Sequence, residues 1–264
     1  MTDPHEPLDP LKGLDRENRI LTRRLKRLED NVRQAEAFQD STSVLLSKLV
    51  RELEDERAKS QRLLLNVLPQ RVIDRLTAGE TVIADRHDDV TVLFGDVVSF
   101  TQISSRTPAP QLIQELNRLF SSFDAVCDAT GVEKIKTVGD AYLVIGGLPG
   151  SATDHVSAAA ETALGMLDAI GTTEGIGDEW QIRIGLHRGP IAAGVIGTTK
   201  FAYDVWGDTV NVASRLEVAA EPGQILVSNE VARGLEGRFG LERRGSIDLK
   251  GKGPTETWSL TRAT

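Results

Sequence analysis

The chain has 264 residues, 40% hydrophobic and 27% charged, enough for one sizeable core plus an appendage or for two small domains. With 39 acidic against 31 basic residues the net charge is −8, which argues against a general nucleic-acid binder, because phosphate backbones reward clustered Lys and Arg. The one cysteine, Cys127, cannot close an internal disulfide and reads as a small buried hydrophobe. No apolar run reaches membrane-spanning length and "MTDPHEPLDP" has no apolar signal region, so a cytoplasmic protein is expected.

Between Leu14 and Leu68 there is no Gly or Pro, and the stretch is rich in Leu, Arg, Glu and Lys, all good helix formers. Leu14, Leu21, Leu28, Ala35, Thr42, Leu49, Glu56 and Leu63 recur every seven residues, with Asn18, Leu25, Val32, Gln39, Leu46, Leu53 and Ser60 as the second seam. This predicts a helical coiled-coil dimerisation region over 1–63, weakened by a polar lapse at "AFQDSTS" where one helix or two are possible. An amphipathic helix folded back on the next domain is the plainer alternative. In "LLLNVLPQRVIDRLTAGE" a proline interrupts the helix and a short second helix stops at a glycine, so 64–84 reads as a joint rather than a core.

Strand and helix patterns then alternate over 85–264. "DVTVLFGDV" reads as a buried strand, "PAPQLIQELNRLFSSFDAVCDAT" as a helix, and "EKIKTVGDAYLVIGGLP" as two strands and a turn. "ATDHVSAAAETALGMLDAI" reads as a second helix and "WQIRIGLHRGPIAAGVIG" as another strand pair. "GDTVNVASRLEVAA" follows as a third helix, with "QILVS" and "TWSLTRA" as closing strands. The order βαββαβ predicts an α+β, ferredoxin-like sandwich of two helices over one antiparallel sheet.

Asp96 ends the first strand, where a carboxylate must be solvated, paired or bound to metal. The backbone from Val97 to Thr101, including Phe100, is placed to wrap an anion. Asp140 sits in the next strand turn; two Asp at neighbouring strand ends suit a pair of hard cations over a triphosphate, although turn chemistry alone accounts for Asp140 equally well. Asn211 and Arg215 are one turn apart on one helix face, suited to a sugar and a phosphate, or else a cap and a solvated charge.

In that order and spacing, "VLFGDVVSFT", "KIKTVGDAYLVIGGLP", "YDVWGDTVNVASRLE" and "DLKGKG" resemble the class III nucleotidyl cyclases over roughly residues 85–262. The joint before them looks like the transducing element that precedes many of these domains. The resemblance implies that Asp96 and Asp140 bind two Mg²⁺ or Mn²⁺ with help from the Val97 carbonyl. Lys136 and Asp204, with Val205 and Trp206 beside them, would receive the purine. Phe100, Thr101 and Lys250 would face the phosphates, Asn211 the ribose and Arg215 the transition state. It also implies a homodimer in which the metal set and the base set of each site come from different chains, with ATP as substrate and an upstream signalling partner possible on the N-terminal helices.

Lys136 is donor-only and ionised Asp204 acceptor-only, a pair that suits adenine and leaves guanine with two unsatisfied contacts. Ser99 stands where the family often has Gly and Gly95 where Ala is usual, both small. Arg188 in "HRGP" is given no substrate role and His187 reads as structural. The alternatives are a guanylate or relaxed-specificity cyclase, and a catalytically silent nucleotide-binding regulatory module. Against silence, neither metal-site Asp, nor the Asn, nor the Arg is missing.

Overall fold

Helix α1, Pro10–Leu65, runs unbroken for 56 residues, about 84 Å at 1.5 Å per residue. The computed structural model describes residues 10–65, 67–177, 179–197, 199–249 and 252–263. The polar lapse does not break α1: the Ser41 and Thr42 hydroxyls donate to the Phe38 carbonyl at 2.9 and 2.8 Å, and Ser47 donates to the Ser43 carbonyl at 2.8 Å. The hydroxyls are satisfied inside the helix, so they do not compete with it. Seam residues Leu21, Leu25, Leu28, Val32, Leu49 and Leu53 are exposed.

Residues 67–264 form a second unit. It contains α2 (Gln70–Thr77), β1 (Ala84–Val97), α3 (Phe100–Arg106), α4 (Ala109–Thr130), β2 (Glu133–Val138), β3 (Ala141–Gly146), α5 (His155–Thr172), β4 (Ile182–Ile196), β5 (Ala202–Trp206), α6 (Asp208–Ala219), β6 (Ile225–Ser228), α7 (Asn229–Leu235), β7 (Gly240–Leu249) and β8 (Gly253–Thr261). Sheet order is β2-β3-β1-β4-β6-β8-β7, with β5 paired to β4. Strands β1 to β4 lie in the order β2-β3-β1-β4 with every neighbouring pair antiparallel, and α4 and α5 fill the helix positions of the expected βαββαβ unit. Strand β6 extends the sheet in parallel to β4.

Alternation along β1 builds two cores. Leu93 and Val97 face α4 and α5, joining Phe123, Tyr142, Met166 and Trp180. Val90 and Val92 face the other way, joining Leu143, Ile145, Tyr203 and Val205 with Leu68, Val72 and Ile73 from the α2 region. The stretch read as a joint therefore contributes to a core.

Two further readings differ from the structure. "WQIRIGLHRGPIAAGVIG" holds one 15-residue strand, β4, and not a pair. Pro190 is accommodated because the β1–β4 register shifts between His87 and Val90, so no ladder bond needs its missing N–H. Strand β7 and helices α3 and α7 had no sequence expectation; β7, the last strand in the sheet order, carries exposed charges at Glu242, Arg243, Arg244 and Asp248.

Candidate active site

Strands β2 and β3 form a hairpin whose two loop residues are Gly139 and Asp140. Gly139 has φ +65, the first-position geometry for which a type II′ turn selects glycine. The register shifts between Lys134 and Lys136, making Ile135 a bulge residue. Glu133 opposes Ile145 and Lys136 opposes Leu143, so both lie on the sheet face that carries the second core. Lys134 points to the other face, over the Tyr142 ring and 2.6 Å from Asp124. Without the bulge Lys136 would share that face, so one extra residue re-aims it.

On its own face Lys136 Nζ donates to Asp204 Oδ2 at 2.6 Å, and Asp204 Oδ1 accepts from the Val205 N–H at 2.8 Å. The Lys136 side chain is 40% exposed and that of Asp204 only 17%. The structure thus joins residues 68 positions apart in sequence into one donor–acceptor pair.

A second cluster lies where β1 ends. Asp96 pairs in register with Ala141 of β3 and Arg183 of β4, which brings Asp140 of the hairpin loop alongside. Burial and the Asp96 charge raise the Asp140 pKa, although its own backbone hydrogen bond and Arg183 oppose the rise. Arg183 Nη2 donates to Asp96 Oδ2 at 3.1 Å, and its Nε lies 2.6 Å from Glu217 Oε1 of α6. That second contact is a close charge pair without an aligned hydrogen bond. Glu217 is buried, and burial pushes its carboxyl up to about 7.

Two crowded carboxylates are a donor set that a hard divalent cation would relieve, so Asp96 and Asp140 fit the implied metals. No group of three or more His, Cys, Asp or Glu able to hold a metal occurs among the described residues. A cation here would complete its shell with backbone carbonyl, water and phosphate oxygens, the habit of Mg²⁺.

Helix α6 seats directly on β4. A Cβ at Gly185 would fall 2.2 Å from the Glu217 backbone nitrogen and 2.3 Å from the Ala213 carbonyl, so glycine is needed for the close approach. The Thr209 hydroxyl donates to the Pro190 carbonyl at 2.6 Å and fixes the start of α6. The helix begins after Gly207, so Asn211 is inside it and is not its cap. Asn211 is exposed and Arg215 half-buried, and neither side chain has a hydrogen-bond or ion-pair partner among the described residues. A guanidinium on a positioned helix face with its donors uncommitted is suited to an anion.

The other expected residues divide. Phe100 packs edge-on against Trp180 with ring centroids 6.3 Å apart, so its side chain belongs to the core and only its backbone is left for a ligand. Val97 and Val205 are likewise buried by their side chains, while Thr101 and Trp206 are exposed. Lys250 lies outside the described residues; its neighbour Lys252 pairs with Asp208 at the start of α6. His187 Nδ1 meets Ser228 Oγ at 2.8 Å, and burial lowers its pKa, in keeping with a structural role. Cys127 is buried and its thiol is pushed up to about 11 by burial, leaving it inert. No hydrogen bond or ion pair joins Asp96 and Asp140 to Lys136, Asp204, Asn211 or Arg215 among the described residues.

Sequence reasoning missed Arg183 and Glu217. The signal was present: a lone cation inside the apolar strand run "IRIGL", and a carboxylate on the buried side of "SRLEVA".

Residues 82–262 match the family described as adenylate and guanylate cyclase catalytic domain. An adenylate cyclase of Mycobacterium tuberculosis is 45% identical over 210 residues, covering 79% of this chain and 47% of that protein. The chain thus spans about half the length of that relative. The guanylate cyclase domain of RhGC from Catenaria anguillulae, solved in complex with GTP, is 37% identical with a TM-score of 0.66, covering 68% of this chain and 100% of that one. The catalytic core of a rhodopsin-guanylyl cyclase with converted specificity, in complex with ATPαS, is 39% identical with a TM-score of 0.65, covering 68% and 98%. No helix among the described residues is long and apolar enough to cross a membrane.

Proposed function

The chain belongs to the adenylate and guanylate cyclase catalytic-domain family, and on that footing we propose that it is a homodimeric adenylate cyclase, converting ATP to 3′,5′-cyclic AMP and pyrophosphate. The observation that carries the choice of base is the 2.6 Å pair of Lys136 with Asp204. Adenine presents an acceptor at N1 and a donor amine at C6; a lysine donates to the first and a carboxylate accepts from the second. Guanine presents the reverse and would leave both groups unmatched, which discriminates against it.

The 3′-oxygen attacks the α-phosphorus, the bond to the β-phosphate oxygen breaks, and the hydroxyl proton passes to solvent. Asn211 orients the ribose so that this oxygen lies in line. Arg215, one turn along α6, places fixed positive charge where the α-phosphoryl gains negative charge, an effect often worth several kcal/mol. Asp96 and Asp140, with the Val97 carbonyl, would hold two Mg²⁺ or Mn²⁺, which when bound acidify the 3′-hydroxyl and screen the leaving pyrophosphate. Val205, Trp206 and the backbone of Phe100 and Thr101 line the nucleotide, and Lys250 meets its terminal phosphates.

The exposed heptad seam of α1 supports pairing of two chains, because a coiled coil buries it. A second reading, a site that also accepts GTP, is favoured by the likeness to the GTP-bound domain. Purified chain incubated with ATP or GTP and Mg²⁺ or Mn²⁺ distinguishes them. Cyclic AMP should dominate; a chain that formed mainly cyclic GMP, or no cyclic product, would refute the assignment.

A further inference from the structure

Strands β2 and β5 carry Lys136 and Asp204 but share no backbone ladder: β2 pairs with β3, and β5 with β4. The sheet links them only indirectly, through β3, β1 and β4, so side-chain bridges between them fix their local spacing. One bridge is the Lys136–Asp204 pair itself. It loosens whenever those two groups turn to a base.

The other bridge comes from α2. Arg71 donates to both carboxylate oxygens of Glu133 on β2, Nη1 at 2.6 Å and Nη2 at 2.9 Å, and Nη2 also donates to the Tyr203 hydroxyl on β5 at 2.7 Å. Its guanidinium carbon lies 5.4 Å from the centre of the Tyr203 ring. Glu133 shares the Lys136 face through the bulge at Ile135, and Tyr203 immediately precedes Asp204. The side chains are 29% and 22% exposed for Arg71 and Glu133, so the pair is partly shielded. A two-pronged carboxylate contact is the arrangement in which Arg gives direction as well as charge. Neighbouring Val72 and Ile73 are buried, so α2 is itself fixed on this face.

We propose that Arg71 is a positioning residue for nucleotide selection: from α2 it sets the spacing of β2 and β5, and with it the distance between Lys136 and Asp204. The proposal rests on the reading of those two residues as the base-binding pair. It makes the seating of α2 a determinant of substrate affinity, so that a displacement of this helix is felt at the base and not at the reacting phosphate.

The test uses the full chain with Arg71→Gln, Arg71→Lys and Tyr203→Phe, and Lys136→Glu as a reference. KM and kcat for ATP are measured together with the thermal midpoint. Arg71→Gln should raise KM for ATP about tenfold with kcat within about twofold, because binding geometry is lost rather than transition-state charge. Arg71→Lys should recover part of the loss, since it keeps the charge but not the fork. If Arg71→Gln does not fold, Tyr203→Phe removes one acceptor without a cavity and should raise KM about twofold to threefold, by the loss of one hydrogen bond. An unchanged KM in folded variants, while Lys136→Glu raises it, overturns the role of Arg71 alone. An unchanged KM in Lys136→Glu as well overturns the base-binding reading and this proposal with it.

Discussion

Glu217→Gln isolates one buried carboxyl beside the proposed metal site. The ordinary value for Glu is 4.5, and burial, with the Asp96 and Asp140 charges adding to it and Arg183 opposing, pushes Glu217 up to about 7. Between those values the folded chain keeps a proton that the unfolded chain has released. Stability therefore falls as pH rises: the penalty is absent well below pH 4.5, grows through that window and is complete above about 7. The gap corresponds to about 3 kcal/mol. Glutamine cannot titrate, so the difference in unfolding free energy between variant and wild type should move by about 3 kcal/mol in favour of the variant from pH 4.5 to pH 8. Urea unfolding followed by circular dichroism, with a chelator present, measures it. A difference flat across that range would mean that Glu217 is already ionised near its ordinary pKa and that Arg183 outweighs burial.

Three further outcomes follow from the same geometry. Gly185→Ala drives a Cβ into the α6 backbone and should cost about 1–3 kcal/mol or more, with loss of activity as Asn211 and Arg215 shift; denaturant midpoints and turnover both read it. Lys136→Glu with Asp204→Cys should depress ATP cyclisation strongly, and wild-type ATP activity in that double variant would refute the base-binding assignment. Removing α1 should make activity per chain depend more steeply on protein concentration, recovering when concentrated; identical concentration dependence would deny α1 a part in pairing.

Much of this was legible because the signals were local. The apolar run in "DVTVLFGDV" and the glycine turn in "KTVGDAY" sufficed for β1, β2 and β3, and the four-residue spacing put Asn211 and Arg215 on one helix face. What escaped depends on partners distant in sequence. Pro190 reads as a breaker until the register shift opposite it on β1 is known. Arg183 and Glu217 stand out in their apolar surroundings, but their pairing needs β4 and α6 together, and Arg71 looks like part of a linker until its contacts 62 and 132 residues away are in view. The bulge at Ile135 has no signature of its own in "EKIKTV", yet it decides which face Lys136 occupies.

Complementation between two inactive variants shows whether the two residue sets act across a dimer. Asp96→Ala alone and Arg215→Ala alone each remove a group from both sites of a homodimer and should be nearly inactive. A mixed dimer has one site with both lesions and one with neither, and random equal pairing makes about half the dimers mixed. Co-refolding the two variants and measuring cyclic AMP should therefore restore roughly a quarter of wild-type activity, by the symmetry of a two-fold interface. No recovery, with mixed dimers demonstrated, would place Asp96 and Arg215 in a site belonging to a single chain and contradict the shared-site mechanism.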